Sequence, residues 1–82
     1  MTSDLDISHR IGALVDEEKQ LREQRAAGAI APDDERTRLS AIEVELDQCW
    51  DLLRQRAALR DAGSDPGQAA VRPAGVVENY QG

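Results

Sequence analysis

The sequence predicts an all-α fold, an antiparallel two-helix hairpin with a flexible C-terminal tail, able to assemble further into a helical bundle. Three observations lead there. Ala, Leu, Arg, Glu and Gln are plentiful while β-branched and aromatic residues are sparse, a balance that favours helix over strand. Apolar residues recur in heptad steps along two stretches, about 4–27 and about 32–61. Gly- and Pro-containing breaks, AAGAIAP at 26–32 and AGSDPG at 62–67, bound them. The chain thus divides into a hairpin over 1–62 and a tail over 63–82.

The first helix opens with Ser3 or Asp4 as its N-cap. Its seam is Ile7, Ile11, Leu14, Glu18 and Leu21, in steps of four and three. Gly28 follows as the residue able to take the left-handed conformation that ends a helix. The second helix restarts at Pro32, whose missing N–H would have no intrahelical acceptor at that position. Asp33, Asp34 and Glu35 lie at the positive end of its dipole, and Arg54, Arg56 and Arg60 near the negative end. Its seam is Leu39, Ile42, Leu46, Cys49 and Leu53.

Antiparallel helices pair residues whose numbers have a constant sum. Leu21 with Leu39, Leu14 with Leu46, Ile11 with Cys49 and Ile7 with Leu53 all sum to 60. Arg25 and Glu35 share that sum and are expected to pair at the loop end, for little stability but in support of the register. Asp6–Arg10, Glu18–Arg22 and Asp34–Arg38 have the spacing of local helix ion pairs.

Trp50 lies one residue round from the seam residue Cys49. It is expected mainly as a lid over Leu14, Leu46 and Leu53 with Arg10 stacked on it, and otherwise as a binding hot spot. A second stripe on helix two, Ala41, Val44, Gln48, Leu52, Gln55 and Leu59, is half apolar and has no evident partner in the chain. A seam this short offsets chain entropy poorly, so the stripe is expected to meet a second copy or a larger protein. The tail carries Arg72, Val76, Val77 and Tyr80. It is read equally as a disordered end, or as a segment that packs back or grips a partner.

Composition narrows the function classes. Sixteen acidic residues against ten basic ones give a net charge of −6, which disfavours nucleic acid as the main ligand. One Cys permits no internal disulfide, and no signal peptide or membrane-length apolar run is present, so a cytoplasmic location is expected. No metal, cofactor or catalytic constellation stands out: His9 is the only His, and Cys49 lacks a base beside it. A two-helix hairpin is expected to offer no pocket-sized volume, hence no enzyme.

Four stretches, ALVDEEKQLR (13–22), LDQCWDLLRQRAALR (46–60), DP (65–66) and VRPAGVVENY (71–80), resemble domain-of-unknown-function family 2630, a family of short actinobacterial proteins. The resemblance covers nearly the whole chain and implies a soluble helical bacterial protein. It assigns no activity and transfers no catalytic residue.

The leading reading is a non-enzymatic interaction or oligomerisation module, with Trp50, Leu52, Leu59, Arg54, Arg56, Arg72, Val77 and Tyr80 as candidate contact residues. The alternative is an accessory to a nucleic-acid-processing machine through Arg54, Arg56 and Arg60. A redox or metal role for Cys49 comes third.

Overall fold

The computed structural model describes residues 3–73. Helix α1 spans Asp4–Ala26 and helix α2 spans Pro32–Asp61, followed by a single 3-10 turn at Pro66–Gln68. Both helices start and stop for local reasons. Ser3 caps α1: its hydroxyl accepts from the Asp6 N–H, and the Asp6 carboxylate accepts from the Ser3 N–H, each at 3.1 Å. This engages Asp6 with the cap rather than with Arg10. At the other end Gly28 takes φ +73°. Gly28 N–H donates to the Arg25 carbonyl and Ala29 N–H to the Gln24 carbonyl, the paired bonds of a Schellman ending. Helix α2 begins at Pro32 and ends in the same way, with Gly63 at φ +74° and Ser64 N–H on the Leu59 carbonyl.

The core is the predicted seam. Ile7, Leu14, Leu21, Ile42 and Cys49 are buried, and Ile11, Leu39, Leu46 and Leu53 pack against them half-buried. Leu14 is 1% exposed. Asp4 pairs with Arg56, which fits the register of sum 60. Glu18, within the seam, is half-buried and pairs with Arg22 at 3.7 Å. Arg25 and Glu35 face one shallow cleft at the loop end, yet among the described residues no ion pair joins them.

The second stripe departs from expectation. It does have a partner within the chain. After Gly63 the backbone turns and runs back along α2, antiparallel to it, as a strap over 64–73. Arg56 donates to the Pro66 carbonyl at 3.2 Å, Gln55 to the Ala70 carbonyl at 2.8 Å, and Gln48 to the Arg72 carbonyl at 3.3 Å. The Ala70 N–H in turn donates to the Gln55 side-chain oxygen. Gln48 and Gln55 are seven residues apart, two helical turns, and therefore project from one face. Leu52 lies half-buried against the core rather than facing outward, and Leu59 is half-buried. This portion of the tail packs back on the hairpin.

Candidate interaction surface

At 100° per residue, the hairpin has two flanks on either side of its seam. The first carries the strap. At its centre is Asp51, wholly buried at 0% exposure although it lies on the far side of α2 from the seam. Its carboxylate accepts from Arg72 Nε at 2.8 Å and also from Arg72 Nη2, a bidentate fork, and from the Gln55 amide at 2.8 Å. The Arg72 hydrogen bond holds the Asp51 carboxyl below its ordinary range, against the opposing effect of desolvation. Three side chains of α2, Gln48, Asp51 and Gln55, thus clamp the strap by its carbonyls and its arginine.

Beyond the strap, the same flank opens into two adjoining troughs. One, of about 630 Å³, runs along α2 over Ala41, Val44, Gln48 and Leu52 and is closed at one end by Val71. The other, of about 400 Å³, lies between the helices over Leu14, Leu21, Ala41, Ile42 and Glu45, with Arg38 and Gln24 at its rim. The hairpin is therefore not without concave surface, contrary to the sequence expectation, although both troughs are open to solvent.

The second flank carries Trp50, 49% exposed, and Val15, 48% exposed. Helical geometry sets Ile11, Leu46 and Leu53, all half-buried, on the seam side of these two. Trp50 is a partial lid at most, since half of its surface stays in water. Arg10 does not stack on it. Its guanidinium reaches Glu45 instead, Nη2 to Oε1 at 2.8 Å with a second bond from Nε, and this holds the Glu45 carboxyl below its ordinary value.

The candidate arginines fare differently. Arg56 bridges Asp4 of α1 and the strap, and Arg60 pairs with Asp4 at 2.8 Å. Those two bonds lower the Asp4 carboxyl, Arg56 contributing most. Arg56 and Arg72 thus act inside the fold, while Arg54 is exposed. Val77 and Tyr80 lie outside the described residues. Asp51 was missed by the sequence reading, as was Glu45. The available signal was the pair of glutamines flanking Asp51 on a half-apolar stripe, followed by an arginine downstream.

Cys49 is buried within the core. Burial pushes its thiol pKa up, and the charge of Glu45 adds to this, so the reactive thiolate is disfavoured. His9 is exposed at the opposite surface of α1 from the seam. Among the described residues no cluster of three or more His, Cys, Asp or Glu side chains could hold a metal ion, and no helix is long and apolar enough to cross a membrane.

Comparison with known proteins agrees with the sequence resemblance. The chain is 54% identical over 80 residues to an uncharacterized protein of Mycobacterium bovis, covering 98% of this chain and 92% of the relative. Uncharacterized proteins from two strains of Mycobacterium tuberculosis match to the same extent. No solved structure matches. Residues 3–82 match the profile described as protein of unknown function (DUF2630), so the chain, a helical hairpin closed on one side by its own strap, belongs to the DUF2630 family.

Proposed function

We propose that this protein is a non-enzymatic helical interaction module of the cytoplasm that self-associates through the Trp50 flank. The observation that supports this reading is the exposure of Trp50 and Val15 on the flank that the strap leaves open. A Trp side chain offers up to ~250 Å². Covering the exposed half would contribute ~3 kcal/mol at ~25 cal/mol per Å². Large aromatics in partly apolar surroundings are the residues that most often dominate an interface.

A two-fold arrangement suits the flank. In the observed register Trp50 lies level with Arg10, and Val15 lies about 7 Å further toward the loop. A two-fold axis between them places Trp50 of one copy over Val15 of the other, and the reverse, as an isologous contact requires. The earlier candidate for this contact, the Leu52/Leu59 stripe, is in part occupied by the strap. The nucleic-acid alternative draws no support from Arg56 or Arg60, which serve Asp4.

The test is mass in solution by light scattering across dilution, with Trp50 fluorescence followed in parallel. The expected result is a dimer that dissociates on dilution with a red shift of the indole emission, and that is lost in Val15→Glu and in Trp50→Ala. A folded monomer at micromolar concentration, with emission independent of concentration, would remove self-association.

A further inference from the structure

We propose that the face of α2 formed by Gln48, Asp51 and Gln55 is a recognition site for an extended, arginine-bearing segment, and that a second copy's strap fills it in exchange for the chain's own. The partner copy then supplies Arg72 to the site. This concerns the strap flank and does not rest on the Trp50 reading.

The site reads a backbone and one cation. Gln48, Asp51 and Gln55 follow one another at steps of three and four, so they share one helical face. Among the described residues, their bonds to the strap go to Ala70 and Arg72. The Gln55 amide donates to the Ala70 carbonyl at 2.8 Å while its oxygen accepts from the Ala70 N–H at 3.3 Å. One side chain thus pairs both backbone groups of a residue, as a neighbouring strand would. Gln48 donates to the Arg72 carbonyl at 3.3 Å, and Asp51 takes the Arg72 guanidinium in a fork. Ala70 and Arg72 are alternate residues and present one side of an extended chain. Val71 between them is 62% exposed. These bonds use no strap side chain but that of Arg72.

The strap is held by polar bonds and buries little. Of residues 64–73 only Pro66, Ala69 and Arg72 are half-buried, and the rest are exposed. Segments with few buried apolar contacts open locally at a small fraction of the global stability. Opening returns Asp51 to water and leaves the seam intact, because Asp51 is no part of that core. The opened site is complete, since all three of its side chains belong to α2. The segment that fits it is the chain's own, and every copy carries one. The bonds are the same within one copy and between two, so concentration separates the two arrangements. A short tether holds the strap at an effective concentration on the order of millimolar. Exchange between copies takes over where a chain's own strap has lost its grip.

The experiment uses two full-length variants, each with half of the contact. Arg72→Met keeps the site and loses the cation, whereas Asp51→Asn keeps the strap and loses the carboxylate. Both also carry Val15→Glu, so that self-association through the Trp50 flank does not contribute. Each alone is expected to be a monomer by light scattering, with the helical spectrum retained. Mixed, they are expected to form a one-to-one pair. By nuclear magnetic resonance, the Gln48 and Gln55 side-chain amide signals of a nitrogen-labelled Arg72→Met chain shift on titration with the Asp51→Asn chain, with half-saturation below about 1 mM. Titration with a chain carrying both Asp51→Asn and Arg72→Met gives no shift. Arg72→Gln takes the place of Arg72→Met should the latter not fold. Absence of a shift up to about 1 mM overturns the proposal, and so does an equal shift with the double variant, which would put the contact elsewhere.

Discussion

Replacing Arg72 with Met removes the cation that faces the buried Asp51 carboxylate while keeping most of the side-chain bulk. Removing one partner of a fully buried ion pair costs about 3–5 kcal/mol, because the other charge is left unpaired. An exposed pair is worth about 0–1 kcal/mol. Here the Asp51 side chain is 1% exposed and that of Arg72 is 42% exposed, so water and salt screen one side only. The Gln55 amide also stays on the carboxylate. The expected loss is therefore intermediate, about 2 kcal/mol. For a domain of this size that is a fall in Tm of about 8–16 °C. The assay is thermal and urea unfolding followed by helical circular dichroism at pH 7. The pH dependence supplies a second reading. The folded Asp51 carboxyl is depressed, so its contribution is present above the unfolded pKa of about 3.9 and is lost as pH falls through the lower folded value. Arg72→Met is expected to flatten that acid limb, and Asp51→Asn in the Arg72→Met background to recover part of the lost stability. An Arg72→Met chain within about 0.5 kcal/mol of wild type, a shift typical of neutral surface changes, would refute the reasoning that the strap is clamped through a buried charge.

Further outcomes follow from the same contacts. Cys49→Ala leaves a small void in the core and is expected to cost about 1–2 kcal/mol with the helical spectrum retained; the native thiol should react with iodoacetamide slowly, its rate still rising above the pH at which a free cysteine levels off. Ser3→Ala removes the acceptor for the Asp6 N–H and should cost about 1 kcal/mol, read as faster amide exchange in the first turn of α1. Gly28→Ala forces a side chain into the left-handed region at φ +73° and is expected to lower stability by about 1 kcal/mol despite open space around it. Because Arg56, Arg60 and Arg72 are held on internal carboxylates, binding of duplex or single-stranded nucleic acid at near-physiological salt should be weaker than micromolar; a titration showing tight, salt-dependent binding would reverse that expectation.

The two helices were legible because their signals are periodic or local. The seam repeats every three or four residues, Gly28 and Pro32 are punctuation, and the register follows from the arithmetic of facing positions. The strap was not legible in this sense. Two of its anchors, the carbonyls of Ala70 and Arg72, exist on every residue, so nothing in the side chains of 69–71 marks them as acceptors for Gln55 and Gln48. Asp51 carries no mark of burial in the sequence, and only a segment arriving from twenty-one residues away covers it. Arg10 had one acidic candidate, Asp6, and an indole to choose between in the sequence. The cap claims Asp6, and the crossing of the helices delivers Glu45. Trp50 had the correct helical position but the wrong depth, because the seam of Leu14, Leu46 and Leu53 leaves its outer half uncovered.

The tight ending of α1 at Gly28 also orders events in time. Only a handful of residues separate the two helices there, so contacts beside that turn, such as those of Leu21 and Leu39, close a short loop at small entropic cost. The Asp4–Arg56 contact joins residues fifty-two positions apart and gains a fixed partner only once the intervening helices are in register. Folding of this hairpin is thus expected to zip from Gly28 toward Asp4, with the strap added to a formed α2. Substitutions at Leu21 or Leu39 should slow folding, whereas those at Asp4, Arg56 or Arg72 should leave the folding rate nearly unchanged and accelerate unfolding.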